Sequence, residues 1–247
     1  MLRTARWAWI WSFVRIAAAV LGVAAVIAQL QRSTSNALQF GWHVPTVVAN
    51  FLSFFTIQSN LIAAVTLTIG AVWWWRRGRV TEDAEPQGYA VLLLCATTYM
   101  VTTGVVYNLL LRNIPLPQGQ TVAWSNEVLH VVIPLVMLLD LLFAPRRRAL
   151  AWKRVLVVVI YPIVWVIYTL LRGPLITSPG SDVPYWYPYP FLNPNNPELV
   201  PPGYAGVAVY VIGIAIGIVV VAFFVVWVGR RRAVAPPTPT GAATAAQ

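Results

Sequence analysis

Residues 203–229 read GYAGVAVYVIGIAIGIVVVAFFVVWVG, and Arg230, Arg231 and Arg232 follow directly. This stretch contains no charged residue. It exceeds the roughly 20 apolar residues that an α-helix needs to cross the hydrocarbon core of a bilayer. We therefore predict a transmembrane helix that ends at a cluster of arginines.

Five further segments of similar character precede this one, at 12–31, 46–75, 88–111, 122–144 and 153–172. Hydrophobic residues make up 59% of the chain and charged residues only 10%, whereas a typical soluble domain has about 25% charged residues. A globule of 247 residues cannot bury that much apolar surface, so lipid must cover much of it. We expect an all-α, polytopic integral membrane protein with six transmembrane helices.

The two ends of the chain have their own patterns. The first apolar segment follows Arg3 and Arg6 and could be read as a signal peptide, but its length favours an uncleaved helix. At the other end, residues 233–247 are rich in Pro, Ala and Thr, which predicts a disordered cytoplasmic tail. The six-helix transmembrane domain is accordingly expected to occupy residues 1–232.

Basic residues alternate between the connections, which predicts the orientation of the helices. The basic connections and ends contain Arg3 and Arg6, then Arg76, Arg77 and Arg79, then Arg146, Arg147, Arg148, Lys153 and Arg154, and then Arg230, Arg231 and Arg232. The other connections contain only Arg32, Arg112 and Arg172. By the positive-inside rule, we expect both termini to face the cytoplasm, with the protein in the plasma membrane. The net charge of +10 thus reflects topology, and no nucleic-acid partner is expected.

The connection at 173–202 is rich in proline and carries the aromatic run YWYPYPF at 185–191. Under the predicted orientation it is an outer loop between the fifth and sixth helices. Proline-restricted backbone and large rings favour a compact cap over the helices. The alternative is an extended spacer that lies along the membrane interface. A connector of this length more often has a function than serves as a plain link.

The second apolar segment contains a polar stripe within NFLSFFTIQSN, residues 50–60. At 100° per residue, Ser53, Thr56 and Asn60 fall within about 60° of each other on one helix face, with Ser59 beside them. Gln58 points away from this face. Polar groups are costly in lipid, so each needs a partner or a function.

The fourth segment carries a second polar group, Asn126, Glu127 and His130, whose spacing puts all three on one helix face. His130 and Thr56 lie at similar depths in the predicted outer half of the bilayer. Polar residues of the third and fifth segments fall in the same layer: Tyr107, Asn108 and Tyr168. The sequence therefore predicts one polar layer inside an otherwise apolar bundle.

Two explanations of this layer remain open. Hydroxyl and amide side chains commonly join transmembrane helices, each contributing about 1 kcal/mol or less. His130, however, is the only histidine within a predicted span, and an imidazole accepts protons near neutral pH. Beside a hydroxyl it could generate a nucleophile. The sequence does not decide which hydroxyl is in reach, that of Thr56, Ser53 or Ser59.

The remaining features limit the other classes of function. No Cys or His cluster has the spacing of a metal site. Haem bound between two histidines would need two of them inside the spans, and only His130 is there. We therefore expect no metal and no cofactor. Gly213 and Gly217 form a GxxxG pattern that suggests close helix packing or a homodimer. Arg15 and Asp140 lie near predicted inner helix ends, where we expect Arg15 to reach the headgroups and Asp140 to pair with nearby arginines.

Three stretches carry a family resemblance: FFTIQSNLIAAV at 54–65, SNEVLHVVIPLVMLLD at 125–140 and YPYPFLNP at 187–194. They resemble the bacterial Pr-six-Pr membrane proteins over all six segments. More distantly, the chain is similar to the androgen-induced and androgen-dependent-TFPI-regulating proteins of animals. Those are intramembrane hydrolases of fatty acid esters of hydroxy fatty acids, with a threonine nucleophile and a histidine.

The resemblance implies that Thr56 is the nucleophile and His130 its general base in hydrolysis of a lipid ester drawn from the membrane. Asn60, Asn126 or Tyr107 would donate to the oxyanion, and Glu127 would orient the imidazole. Two other classes compete with this hypothesis. A small transporter or channel would use the same polar layer as a substrate site, and a scaffold without activity would use it only to join helices.

Overall fold

A computed structural model of the chain describes residues 2–81, 83–114 and 121–234, with side chains from residue 5 onward. Long helices dominate, and no strand occurs in these ranges. The helical segments, in chain order, are α1 Leu2–Phe40, α2 Val44–Ser53, α3 Phe55–Gly78, α4 Gln87–Leu111, α5 Ala123–Phe143, α6 Trp152–Leu175 and α7 Tyr204–Arg231. Of the described helices, all but α2 are long and apolar enough to cross a membrane, which makes six.

The six apolar segments predicted from the sequence all appear as helices, but two bounds differ in an informative way. The first helix runs to Phe40 rather than to residue 31, because residues 31–40 contain no Gly or Pro and the helix ends at Gly41, which has a positive φ of 69°. The second predicted helix, 46–75, is broken at Phe54 into α2 and α3. The predicted disordered tail at 233–247 falls almost wholly outside the described residues.

The break at Phe54 occurs without proline or glycine, because side chains satisfy the carbonyls that it frees. Phe54 has an extended ψ of 129°. The Gln58 amide donates to the carbonyl of Leu52 at 2.7 Å, and the Trp165 indole donates to that of Ser53 at 3.0 Å. A broken helix is tolerated at membrane depth only where such partners exist. Gln58 also accepts from the Tyr161 hydroxyl of α6, so it joins two helices as expected.

The core lies between α1, α3, α4 and α5, where the largest fully buried side chains include Leu67, Met100, Leu129 and Met137. In contrast, α6 and α7 expose most of their apolar surface. Gly213 and Gly217 lie on that outward surface of α7, and a Cβ added at either would meet no atom within 4 Å. Close helix packing at these glycines is therefore not seen among the described residues, and the homodimer stays a prediction.

One end of the bundle contains a buried charge cluster of Arg15, Asp140, Arg147 and Glu85. Asp140 is fully buried and accepts from Arg15 at 2.7 Å, from Arg147, and from the Trp11 indole at 2.5 Å. Arg147 also approaches Glu85 at 3.4 Å. The expectation that Arg15 reaches the headgroups was therefore wrong, because the paired carboxylate offsets the cost of burying its charge inside the protein.

At the opposite end, the segment between α6 and α7 folds back onto the helices. Trp186, Tyr187, Tyr189, Phe191 and Leu192 are all buried. Tyr189 and Phe191 stack with ring centroids 5.2 Å apart, and Phe54 meets the Tyr189 ring edge-on at 5.6 Å. The segment is thus packed against the helix break and is not an extended spacer.

Candidate active site

Thr56 lies in the first turn of α3, two residues after the break. The first amides of a helix have no preceding helical carbonyl to bind, and the amide of Thr56 donates instead to the Tyr189 hydroxyl at 3.2 Å. The Thr56 side chain is buried. Its hydroxyl is thus held beside a helix N-terminus, where the helix dipole favours negative charge.

His130 lies on a π-helical turn, Val128–Val132, within α5. Pro134 has no amide hydrogen to donate to the carbonyl of His130 four residues earlier, and the Asn108 side chain donates to that carbonyl instead at 3.3 Å. Gly104 allows α4 to come this close, since a Cβ there would lie 3.0 Å from Pro134. Isolated π turns of this kind are frequent at functional sites.

The contacts of His130 determine which ring nitrogen carries the proton. Nδ1 lies 2.9 Å from the backbone carbonyl of Asn126, which can only accept, so Nδ1 is the donor. In the neutral imidazole, Nε2 then presents its lone pair. Nε2 lies 3.2 Å from Oγ1 of Thr56. The Thr56 hydroxyl therefore donates to His130, as required of a nucleophile and its general base.

Tyr107 holds the imidazole plane in place. Its ring stacks on His130 with centroids 3.7 Å apart and planes 19° from parallel. The Asn126 side-chain amide in turn donates to the Tyr107 hydroxyl. Tyr107 begins a second π-helical turn, Tyr107–Leu111, so both of the stacked rings come from irregular turns of facing helices.

Tyr189 completes the group of side chains around Thr56. Its hydroxyl oxygen lies 3.2 Å from Oγ1 of Thr56 as well as 3.2 Å from the Thr56 amide nitrogen. Because the threonine hydrogen is directed at His130, the phenol donates to Oγ1 while it accepts from the amide. Burial raises the pKa of the Tyr189 phenol, which keeps it protonated near neutral pH.

Asn60 and Ser59, both predicted for the site, support the backbone and do not reach the reacting atoms. The Asn60 amide donates to the carbonyls of Thr56 at 2.8 Å and Leu129 at 3.2 Å, which ties α3 to α5. Ser59 donates to the Thr56 carbonyl at 3.1 Å and lies 3.1 Å from the Thr103 hydroxyl. Both residues hold Thr56 in register with His130.

Ser53 and Tyr168 lie away from His130. Ser53 donates to the carbonyl of Ala49 at 2.7 Å and lies 2.9 Å from the Tyr168 hydroxyl, which joins α2 to α6. Of the three hydroxyls left open by the sequence, those of Ser53 and Ser59 have other partners. Only the Thr56 hydroxyl is hydrogen-bonded to His130 among the described residues.

The expected role of Glu127 was wrong. Its carboxylate is exposed and pairs with Arg112 at 2.6 Å, so it does not orient the imidazole. The backbone carbonyl of Asn126 does that instead. Glu127 is one residue further along the helix and points outward, whereas the carbonyl four residues before His130 lies directly beside its ring.

Two cavities meet at Thr56. The larger, about 300 Å³, lies between α4, α6 and α7 and is lined mainly by apolar side chains, including Val166 and Ile214. The smaller, about 50 Å³, lies between α1, α2 and α5 and has polar groups in its wall, including Gln29 and Asn126. Among the residues that line both are Thr56, Tyr107 and Tyr189. Thr56 thus lies between an apolar cavity and a smaller one that has polar groups in its wall.

The six long apolar helices define a multi-pass α-helical membrane protein. Comparisons with models of protein families, with curated proteins and with solved structures found no match. The site is therefore described from its own geometry. Within the described residues, no group of His, Cys, Asp and Glu is arranged to hold a metal ion.

Sequence reasoning selected Thr56 and His130 but missed Tyr189 as a site residue. Tyr189 is separated from Thr56 by more than half the chain and belongs to the segment between α6 and α7. The signal for it was present in the aromatic run at 185–191, but that run did not show which ring faces the helices. The break at Phe54 had no sequence signal, because neither Gly nor Pro marks it.

Proposed function

We propose that the protein is an intramembrane hydrolase of fatty acyl esters, with Thr56 as nucleophile and His130 as general base. The observation that carries this proposal is the 3.2 Å contact from Thr56 Oγ1 to His130 Nε2, together with the carbonyl that keeps the proton on Nδ1. A helix-joining role alone does not require a base with its free nitrogen directed at a hydroxyl.

The reaction proceeds in two steps. Oγ1 of Thr56 attacks the ester carbonyl carbon while its proton passes to Nε2 of His130. The bond to the alcohol oxygen then breaks, that oxygen takes the proton from His130, and the acyl group remains on Thr56. Water next attacks the acyl carbon and gives its proton to His130. The bond to Oγ1 breaks, the proton returns to Oγ1, and the fatty acid leaves.

The two cavities support a lipid substrate. An acyl chain fits the larger cavity, because its walls are apolar and it ends at Thr56. The smaller cavity takes the alcohol side of the ester and, after acylation, the attacking water. Fatty acid esters of hydroxy fatty acids, the substrates suggested by the family resemblance, have a chain on each side of the ester. The larger cavity matches one of these chains.

We further propose that both termini are cytoplasmic and that the site lies in the outer half of the plasma membrane. The basic connections support this orientation, since Arg76, Arg77 and Arg148 all belong to the end opposite Thr56. The substrate then enters sideways from the outer leaflet, between α6 and α7. The segment between those helices covers the site on the outer side.

The experiment is activity-based labelling of the purified full chain with a long-chain fluorophosphonate. We expect Thr56 to be labelled, and we expect Thr56→Ala to abolish both labelling and hydrolysis of p-nitrophenyl palmitate. Ser53→Ala is the matched control, because it removes a hydroxyl from the same region that contacts Tyr168 and not His130. Labelling that persists in Thr56→Ala would contradict the assignment of the nucleophile.

A further inference from the structure

The break at Phe54 leaves a backbone donor directly beside the nucleophile. In a continuous helix the amide of Thr56 would bind the carbonyl of Leu52, but that carbonyl accepts from the Gln58 side chain. The Thr56 amide instead points to the Tyr189 hydroxyl at 3.2 Å. A donor of this kind, next to the attacking oxygen, is in the position needed to bind the oxygen of a tetrahedral intermediate.

The Tyr189 phenol supplies a second donor at the same place. Its oxygen is 3.2 Å from Oγ1 of Thr56, and its hydrogen is directed there in the resting site. When Oγ1 bonds to an acyl carbon, the former carbonyl oxygen lies on an adjacent position of that carbon. A small rotation of the phenol hydrogen then turns it from Oγ1 to that oxygen.

We propose that the Thr56 amide and the Tyr189 hydroxyl together form the oxyanion hole of the proposed hydrolase. This inference rests on the proposed function of Thr56 and adds Tyr189 as a catalytic residue. The break at Phe54 then also has a role, since only a helix that begins at Phe55 leaves the Thr56 amide without a bond to a helical carbonyl.

The donors expected from the sequence have other partners. Asn60 donates to two backbone carbonyls, at 2.8 and 3.2 Å, which uses both of its amide hydrogens. Asn126 donates to Tyr107. Tyr107 stacks face to face on the imidazole, and among the described residues its hydroxyl makes no hydrogen bond to Oγ1 of Thr56. Tyr189 alone among these residues contacts both the amide and Oγ1 of Thr56.

The surroundings of Tyr189 hold its hydroxyl in place. The ring is buried, stacks parallel to Phe191 at 5.2 Å, and meets Phe54 and Trp165 at 5.6 and 6.0 Å. A donor that is fixed before the reaction stabilises the developing charge without reorganisation. The aromatic segment therefore contributes to catalysis itself and does more than cover the site.

The test compares Tyr189→Phe with Tyr187→Phe in the purified full chain. Both variants remove one phenol oxygen from a buried residue of the same segment, but Tyr187 packs against Gly173 and lines neither of the two cavities at Thr56. For p-nitrophenyl palmitate we expect Tyr189→Phe to lower kcat by about 100-fold or more with little change in KM. Tyr187→Phe keeps the native kcat.

A binding measurement distinguishes stabilisation of the oxyanion from binding of the uncharged ground state. A palmityl trifluoromethyl ketone forms a tetrahedral adduct with Thr56 that carries the oxyanion, whereas the corresponding alcohol cannot. We expect Tyr189→Phe to weaken binding of the ketone by about the same factor as kcat and to leave binding of the alcohol unchanged. Equal losses for both compounds would mean that Tyr189 only shapes the cavity, and would overturn the inference.

Two further variants keep the test decisive if Tyr189→Phe does not fold. Replacement of Tyr189 by p-aminophenylalanine retains a donor, and replacement by p-methylphenylalanine fills the same space without one. We expect activity only in the first, and equal activity in both overturns the inference. Loss of activity in Thr56→Ala alongside native activity in Tyr189→Phe overturns the oxyanion hole alone, while full activity in Thr56→Ala overturns the proposed function.

Discussion

His130 depends for its chemistry on the residue four positions before it. The carbonyl of Asn126 binds Nδ1 at 2.9 Å and thereby directs the lone pair of Nε2 to Thr56. A backbone carbonyl performs this task reliably, because the helix fixes its position and it can only accept. The expected partner, Glu127, was chosen from its charge, yet its charge is what draws it outward to Arg112.

We predict that His130→Gln lowers kcat for p-nitrophenyl palmitate by about 100-fold or more, because general-base catalysis contributes about 10²–10⁴-fold. The glutamine amide fills much of the imidazole's space and can bind Thr56, but it cannot take up the proton. Steady-state kinetics and the fluorophosphonate labelling rate measure the effect. Asn108→Ala is the comparison, since it removes a contact to the His130 carbonyl and leaves the ring nitrogens unchanged. Native labelling in His130→Gln would contradict the role of the base.

Irregular turns of the helices bring the site together. Thr56 follows a break, and His130 and Tyr107 each lie in a π-helical turn. Each irregularity frees backbone groups, and side chains of the neighbouring helices satisfy several of them. Such turns are costly in lipid unless they are buried in protein, and Thr56, Tyr107 and His130 are all buried.

The segment between α6 and α7 is positioned by Gly173, and this permits a prediction. A Cβ at Gly173 would lie 2.1 Å from the Tyr187 ring, too close for that ring to stay in its present position. We predict that Gly173→Ala displaces the segment, moves the Tyr189 hydroxyl from Thr56 and lowers kcat by about 10-fold or more, consistent with the sensitivity of catalysis to shifts of about 1 Å.

The matched control is Gly213→Ala on α7, where an added Cβ meets nothing within 4 Å. It changes the same residue type without displacing a neighbour, and alanine favours a helix over glycine by about 1 kcal/mol. We expect native kcat and equal or higher thermal stability. Unchanged kcat in Gly173→Ala would show that the segment does not position the site.

At the scale of the whole molecule, the two ends of the bundle have different tasks. One end holds the buried cluster around Asp140, which connects α1, α5 and the two basic connections. The other holds Thr56 and the aromatic segment. The charges at the first end serve the fold, and among the described residues no hydrogen bond or ion pair joins the cluster to Thr56, His130 or Tyr189.

We predict that Asp140→Asn lowers the free energy of unfolding by about 3–5 kcal/mol, because it leaves Arg15 and Arg147 buried with an uncompensated charge. Thermal unfolding of the purified protein in detergent measures the loss as a lower Tm. Asp83→Asn removes a carboxylate that is exposed, and we expect no change in its Tm beyond error. Equal Tm values for the two variants would contradict the structural role of the cluster.

The proposed orientation also belongs to this scale. With Cys95, the single cysteine, replaced by Ser, we predict that a cysteine at the exposed Glu198 reacts with a membrane-impermeant maleimide on intact cells. We expect a cysteine at Asp83 to react only after the membrane is opened, because the proposed orientation puts that connection in the cytoplasm. The reverse pattern would contradict the orientation and would place the site in the inner half of the bilayer.

Features that follow from composition and from local periodicity are predictable from the sequence alone. Long apolar runs predicted six helices, which the structure shows, since a run such as 203–229 has no stable alternative to a helix in lipid. Helical spacing also selected the polar stripe that contains Thr56 and the helix face of His130, because polar residues are rare enough inside a span to stand out. Both inferences need only residues that are near each other along the chain.

The geometry around Thr56 depends on tertiary contacts and could not be predicted from the sequence. The break at Phe54 exists because Gln58 and Trp165 satisfy the freed carbonyls, and Trp165 lies on a helix far along the chain. Tyr189 reaches Thr56 because a segment more than a hundred residues away folds back onto the break. Contacts between residues so far apart depend on the packing of the whole bundle, and no local pattern in the sequence specifies them.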